Sequence, residues 1–481
     1  MSPPRKVAVV VLGDLGRSPR MQYHAASLAK LGACVGEVTM IGYSGERCFV
    51  EGASKLRERR IAPSAVNGRG RVYKALALIV YLTRCLLGQD YSVIVVQNPP
   101  ALPVLLALLL VRLVSVFSFA RRPRIVLDWH NLGFTMFTDA APWLVALLRW
   151  AEKWAVRLVA DEHLCVSQAM RAWLHLHFGL PQPTTTVLYD RPSALFAGPA
   201  AAQARLAERH DVLGRYRLVD ADLFPQDAGP LLPAGATIQT TVSPSCGGGG
   251  LALRPLVGGG GGGEEAVPPV RPFLLVSSTS WTDDEDFGLL LDAAALLDKA
   301  LAAGTGSGSG SGSDLARVVI VVTGKGPLRG EFEERAAAMR ADGSLRRVAI
   351  RTLWLEAADY PRLLRCADLG VCLHKSTSGL DLPMKVLDMF GAGVPVLSYR
   401  YPSIGELVEE GVTGRLFATP QELCDGVLAL RGGGPGARDG GEQAGLEALR
   451  RGVREQQRER GDWDANWGRV MPAVLARCGL H

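Results

Sequence analysis

No Cys-x-x-Cys pair occurs in the 481 residues. The nine cysteines stand singly, from Cys34 to Cys478, and their number is odd. That excludes a disulfide framework and a thiolate zinc site, and it fits reduced thiols in a cytosolic compartment. A signal-peptide shape is missing as well, because MSPPRKVAVVVLGD runs straight into a strand pattern. Basic residues are not interleaved with aromatics, and a net charge of +6 is mild, so nucleic acid is not implied. An anionic, phosphate-bearing substrate or an anionic membrane surface suits that charge better. No long run alternates polar and apolar residues, which excludes a β-sandwich. The G-x-x-x-x-G-K-[ST] spacing of a P-loop is also absent.

What is present is one theme, repeated. With 48% hydrophobic residues over 481 positions, two domains can each bury a core. Near-continuous apolar runs read as buried parallel strands: Lys6–Leu12, Val35–Gly42, Tyr91–Gln97, Arg124–Asn131, then Phe273–Ser277, Val318–Val322 and Val348–Thr352. Helical patterns separate them, so the fold class is α/β, two open Rossmann-like halves. Residues 1–200 form the first, 201–271 a helical segment and low-complexity linker, 272–461 the second, and 462–481 a C-terminal amphipathic helix directed back towards the first. The Pro- and Gly-rich stretch from 226 to 272 cannot bury a core and is predicted to be disordered, as is Gly304–Ser313. Arg57–Arg60 reads as basic surface, Ile404–Glu410 as a helix and Arg431–Gly445 as a third Gly-rich loop. Ala101–Ala120 is long enough to span a bilayer, but a strand follows at once. A strand–helix–strand crossover must return to the same sheet, so we read a buried crossover helix with Arg112 at a wet edge. This helix and Val72–Gly88 can also lie against a membrane surface.

The stretch Ser376–Ser398 carries the strongest functional signal. A polar loop follows the apolar run Leu369–His374, Pro383 opens a helix, and VPVL returns as a strand. Backbone N–H groups of Ser376, Ser378 and Gly379 then stand at a helix N-terminus beside a strand's carboxyl end, where open α/β sheets hold phosphates. Asp388 lies two turns into the helix, where a carboxylate can accept a ribose diol. Lys325, between Gly324 and Gly326, and Lys385 are placed to meet a diphosphate. In the first half, Asp14, Arg17 and Arg20 surround the first strand–helix turn, and Asp128, His130 and Asn131 end a strand facing the same cleft. The acids Asp283–Asp286 read as helix caps favoured by the dipole rather than as metal ligands.

GDLGRSPRMQYHAASLA, QNPPALP, DWHN, SSTSWTDDEDF, TGKGPLR, DLGVCLHKSTSGLDLPMKVLDMFGAGVPV and DWDANW together resemble the chitobiosyldiphosphodolichol beta-mannosyltransferase family. The resemblance implies a GT-B glycosyltransferase whose two domains face each other across a cleft. It implies transfer of mannose, with inversion, from GDP-mannose to GlcNAc2-diphospho-dolichol in a β1,4 link, the first mannose of the N-glycan precursor. It implies the cytosolic face of the endoplasmic reticulum membrane, other early N-glycan transferases as neighbours, and no metal or other cofactor. Relatives in the family begin with a membrane-spanning anchor and this sequence begins at the first strand, so attachment is expected to fall to the two apolar helices. Retaining relatives of the fold carry two acids eight apart; Asp388 matches the second, while Leu380, beside Asp381, holds the first position.

An inverting displacement needs a base in the acceptor half and cations on the leaving diphosphate. Asp14 is the first candidate base, then His130, then Asp128. Arg17 and Arg20 are expected to hold the acceptor's diphosphate. The rival readings are a non-catalytic membrane scaffold for a glycosyltransferase complex and another GT-B nucleotide-sugar transferase.

Overall fold

A computed structural model describes every residue except 1–3, 33, 49–54, 62–69, 100, 118–121, 138–139, 199–207, 209–210, 217, 219–271, 304–317, 357, 432–440 and 481. The two Gly-rich inserts and most of 431–445 thus lie outside the described residues.

The first lobe is a seven-stranded sheet in the order β3-β2-β1-β4-β5-β6-β7. Its strands are β1 (Arg5–Asp14), β2 (Val35–Tyr43), β3 (Leu56–Ile61), β4 (Tyr91–Asn98), β5 (Arg124–Trp129), β6 (Glu162–Cys165) and β7 (Thr185–Val187). Every pairing is parallel, which is why the strands read as unbroken apolar runs. Helices α2 (Arg71–Leu87), α3 (Ala101–Phe117) and α4 (Pro142–Val159) cover one face, packed on Ala8, Val10, Ile94 and Val96. Helix α1 (Pro19–Ala29) covers the other, on Val7, Val9 and Val95. Right-handed crossovers dictate this split: the chain moves one way across the sheet through α1 and the other way through α2 to α4. The short α5 (Gln168–Trp173) follows β6, capped by Ser167.

The second lobe is six-stranded and parallel, in the order β10-β9-β8-β11-β12-β13. Its elements are β8 (Phe273–Ser278), α6 (Phe287–Ala303), β9 (Val318–Thr323), α7 (Arg329–Ala341), β10 (Val348–Leu353), α8 (Asp359–Cys366), β11 (Leu369–Cys372), α9 (Met384–Gly391), β12 (Val396–Tyr399), β13 (Gly414–Phe417), α10 (Pro420–Arg431) and α11 (Gly441–Arg460). The last helix, α12 (Trp463–Arg477), leaves this lobe. Trp463, Trp467 and Met471 enter the core beneath β1 and α1, and Arg477 pairs with Glu162 at 2.8 Å. Strand order reverses between β1 and β4, and again between β8 and β11. Each reversal opens a crevice at the strands' carboxyl ends, where ligands bind in such sheets.

Four local readings change. Arg57–Arg60 is part of the edge strand β3, parallel to β2; an edge tolerates charge on both sides, which hid the strand. The segment after residue 441 is the helix α11, held by a narrow stripe of Leu446, Leu449 and Val453. Ile404–Glu410 forms only a 3-10 turn at Ile404–Glu406. Arg112 is not at a wet edge. It is buried, donates to the carbonyls of Val159 and Pro123, and pairs with Asp161.

Candidate active site

Asp128 is the penultimate residue of β5. Side chains alternate along a strand, so Leu127 and Trp129 enter the α2–α4 core while Asp128 points towards α1. There α1 presents Arg20 and His24, four residues apart and therefore on one side of the helix. Arg20 grips Asp128 with two bonds of 2.7 and 2.8 Å, and also donates to Asp190 at 2.7 Å and to the Leu188 carbonyl. Arg20 is 3% exposed and Asp128 0%. Burial alone would raise the Asp128 carboxyl; the Arg20 charge wins and holds it well below the usual carboxylate range. His24 accepts from the indole N–H of Trp467 at 3.2 Å, which leaves its Nε2 facing Asp128 at 3.3 Å. His130 Nε2 lies 3.1 Å from the same carboxylate, with its ring partly open to solvent. Asp128 therefore fixes the imidazole with Nε2 towards itself and leaves Nδ1 for other work.

Two sequence assignments change here. Arg20 cannot reach an acceptor diphosphate, because its charge is spent inside the lobe. Asp128 cannot touch substrate, because it has no exposed surface; it positions His130. Asp14 caps the turn Leu15–Arg17. Its carboxylate accepts the Gly16 N–H at 3.0 Å and, through both oxygens, the Glu46 N–H at 3.1 and 3.0 Å. Its carboxylate, 22% exposed, ties these two loops together. Arg17 is exposed and paired with Glu46 at 2.6 Å.

In the second lobe the loop after β8, Thr279–Asp286, gathers the donor candidates. A Cβ on Gly324 would stand 1.9 Å from the Thr279 carbonyl oxygen, and one on Gly326 2.0 Å from that of Ser280. Only glycines let the Lys325 loop seat so closely, and Gly324 also has φ +125°. Lys325 Nζ rests 3.8 Å from the centroid of the exposed Trp354 ring. Lys385, on α9, pairs with buried Glu285, which also accepts from Thr279 and the Ser280 N–H. Asp388, one turn further along α9, accepts from Tyr360 at 3.1 Å, and Tyr360 contacts Ser278 at 3.0 Å. Burial pushes the Asp388 carboxyl up to about 7, against the pull of Tyr360 and Lys385. The Lys325 loop and Lys385 thus meet the loop Thr279–Asp286, while Asp388 is tied through Tyr360 to Ser278, where β8 ends.

The expected amide cradle is built differently. Ser376 (φ 44°) accepts the Gly379 N–H at 2.8 Å and donates to Asp381, and Ser378 accepts the Leu380 N–H at 3.2 Å. These groups shape the loop around Asp381, so the Gly379 N–H is not free for a phosphate. The acidic run also has a different use. Asp284 holds His374, Glu285 holds Lys385 and Asp286 holds Lys375 at 2.6 Å; only Asp286 also caps α6, through the Leu289 N–H.

The lobes meet at this loop. Asn131 Nδ2 reaches Thr377 Oγ1 at 3.5 Å, one residue from His130, and Ser167 donates to the Leu380 carbonyl. Glu406 caps α5 across the gap, accepting the N–H groups of Gln168 and Ala169 at 2.7 and 2.8 Å and the Tyr189 hydroxyl at 2.7 Å.

Family models agree with this two-lobed arrangement. "Glycosyltransferase Family 4" matches residues 21–190 and "Glycosyl transferases group 1" matches residues 274–431. Among similar proteins, a chitobiosyldiphosphodolichol beta-mannosyltransferase of Homo sapiens is 34% identical, covering 98% of this chain and 93% of its own length. That of Eremothecium gossypii is 35% identical over 87% of this chain and 77% of its own length. The chain belongs to the chitobiosyldiphosphodolichol beta-mannosyltransferase family. A relative from Arabidopsis thaliana, named UDP-glycosyltransferase TURAN, is 36% identical over 96% of this chain and 95% of its own length. Among solved structures, Anabaena HepE with UDP and glucose has a TM-score of 0.62 at 13% identity, covering 98% and 99% of the two chains. WaaG, a lipopolysaccharide glycosyltransferase, has a TM-score of 0.59 at 11% identity with the same coverage. The fold is GT-B.

Within this family member, His374, Tyr360, Glu406 and Glu152 are site-supporting residues that the sequence did not reveal. Glu152 is buried and accepts from Asn98 and from the N–H groups of Gly133 and Phe134, fixing the loop after His130. His374 bridges Asp284 at 3.1 Å and Asp381 at 2.9 Å. Burial would lower its pKa, but the two carboxylates outweigh burial and push it up to about 9. The unfolded imidazole titrates near 6.5. The stabilisation is therefore complete below about pH 6.5 and fades as pH rises through about 9. The rise is worth on the order of 3 kcal/mol. Between pH 7 and 9.5 the melting temperature of the native chain should fall by about 5–10 °C more than that of His374→Gln. Parallel melting curves would contradict the assignment.

Proposed function

We propose that this chain transfers mannose from GDP-mannose to the chitobiose of a dolichol diphosphate, forming a β1,4 link with inversion. It would add the first mannose of the N-glycan precursor, at the cytosolic face of the endoplasmic reticulum membrane. His130 Nδ1 takes the proton of the acceptor hydroxyl as that oxygen bonds to the anomeric carbon. The bond from that carbon to the β-phosphate oxygen breaks, and GDP leaves with its electron pair. Lys325 and Lys385 stabilise the leaving diphosphate, so no metal ion is invoked. Asp388 accepts from the ribose, with Tyr360 orienting it. Arg17, exposed at the mouth of the first lobe, meets the acceptor's diphosphate. The observation that carries this reading is the Asn131–Thr377 contact, because it sets the loop of His130 against the loop that leads into α9, the helix of Lys385 and Asp388.

The name of the Arabidopsis relative favours one rival, a uridine nucleotide as donor. Competition at the donor site separates them. GDP should displace bound GDP-mannose at least about tenfold more effectively than UDP, a difference of ~1.4 kcal/mol, with the same result in excess chelator. Preference for UDP would transfer the assignment to the rival, and loss of binding in chelator would return the diphosphate to a metal.

A further inference from the structure

Two stretches of chain join the lobes, and arginines that the transfer chemistry does not use gather where they run together. The first stretch follows β7: Leu188 belongs to the core of the first lobe and Phe196 to that of the second. The second joins the end of α11 at Arg460 to the start of α12 at Trp463. Arg191 lies on the first stretch, and Arg460 and Arg469 flank the second. Tyr189 ties the two together. Its hydroxyl donates to Glu406 at 2.7 Å, its carbonyl accepts from Asn466 of α12 at 2.8 Å, and the Arg191 guanidinium lies 5.5 Å from its ring centroid. Arg460 donates to the Glu406 carbonyl at 3.1 Å, and Arg469 to the Arg460 carbonyl at 3.4 Å.

Among the described residues none of these three arginines bonds to a carboxylate; each donates to backbone carbonyls instead. The acids close by are committed elsewhere or stand off. Asp190 is held by Arg20, and Glu406 caps α5 and accepts from Tyr189. Glu409 and Glu459 are exposed and act on Arg460 only through space. Arg191 is 8% exposed, and its Nε is buried with no hydrogen-bond partner among the described residues. Burial first, then the charges of Arg460 and Arg469, push its pKa down to about 10. A buried guanidinium without a counter-charge is unfavourable until an anion meets it. Arg460 is half-buried and Arg469 exposed, so the cluster opens to solvent on the α12 side. Guanidinium forks match the oxygens of a phosphate.

We propose that Arg191, Arg460 and Arg469 form a binding site for a soluble phosphate-class anion, phosphate or diphosphate, at the joint between the lobes. The anion supplies the acceptor that Arg191 Nε lacks and binds the two connecting stretches to each other. Pro192, the next residue, stands against α9: a Cβ on Gly391 would lie 2.7 Å from the Pro192 Cβ. Occupancy is therefore felt at the helix of Lys385 and Asp388 although the anion does not touch the donor. The inference is independent of the reaction proposed above, and its test uses no sugar. Inorganic pyrophosphate is titrated into the full chain at an ionic strength held constant with sodium chloride, and thermal melting is followed. At roughly 100 times its dissociation constant it should raise the melting temperature by about 3–6 °C. Arg191→Met removes an unmatched buried charge, so without pyrophosphate it should melt at least as high as the parent, and with it gain less than half as much. Arg469→Gln, an exposed change, should melt as the parent does without ligand and need roughly tenfold more pyrophosphate for the same rise. Pyrophosphate held at the donor loops contributes equally in all three proteins, so the differences read the joint. A parent shift no larger than sodium chloride gives, or a full shift in either variant at the parent's concentrations, would overturn the proposal. So would Arg191→Met melting well below the parent without ligand, which would make Arg191 a packing residue.

Discussion

His130→Ala should lose roughly a hundredfold or more of its transfer rate while its GDP affinity stays within about twofold. The imidazole is the accessible end of a buried chain, Arg20–Asp128–His130, whose inner members are 3% and 0% exposed. Removing it takes away the proton acceptor and leaves the second lobe, where the donor loops are, untouched. His130→Ala creates no large hole, since the ring is partly solvated. Asp14→Ala is the informative partner. Its carboxylate holds the N–H groups of Gly16 and Glu46, so its loss should loosen those loops and raise the KM for acceptor more than it lowers kcat. If His130→Ala kept full turnover and Asp14→Ala lost it with the fold intact, the base would be Asp14.

Arg20→Ala should be the most destabilising single change at the site. It strands the Asp128 carboxylate, fully buried, with two histidines in place of a fixed cation. Breaking a buried pair from one side costs about 3–5 kcal/mol. For a lobe of this size that lowers the melting temperature by about 10 °C or more. The double variant Arg20→Met with Asp128→Asn should recover much of the loss, because no unpaired charge remains. It should still lack transfer, because His130 loses its anchor. Thermal scans of the three proteins check the first two statements, and a transfer assay on the double variant checks the third. Equal melting of Arg20→Ala and the parent would show that the pair contributes little.

The parallel sheets were legible because a strand buried on both faces reads as an apolar run, as in Lys6–Leu12 and Val318–Val322. β3 was not, because an edge strand can carry Arg57, Glu58, Arg59 and Arg60 without burying them. The helix α11 was hidden because only a narrow stripe of it enters the core, next to a Gly-rich approach. At the site, residue types at strand ends were legible: the Lys325 loop and Lys385 meet the loop after β8, and Asp388 is tied to the end of β8 through Tyr360. Partnerships were not legible. Arg20 finds Asp128 from 108 positions away, Asp381 and Asp284 converge on His374, and Glu406 reaches Gln168 across 238 positions. A sequence shows which charges exist, but only the fold decides which of them are spent on each other. That is why Arg20 and Asp128 read as cleft residues and prove to be interior ones.

The most direct measurement is single-turnover transfer of radiolabelled mannose from GDP-mannose to a phytanyl-linked chitobiose diphosphate by the full chain, in excess chelator. The account expects label in the organic phase, released by a β-mannosidase and nearly absent with His130→Ala. Donor bound tightly with no label transferred, or a product resistant to β-mannosidase and open to an α-mannosidase, would contradict it.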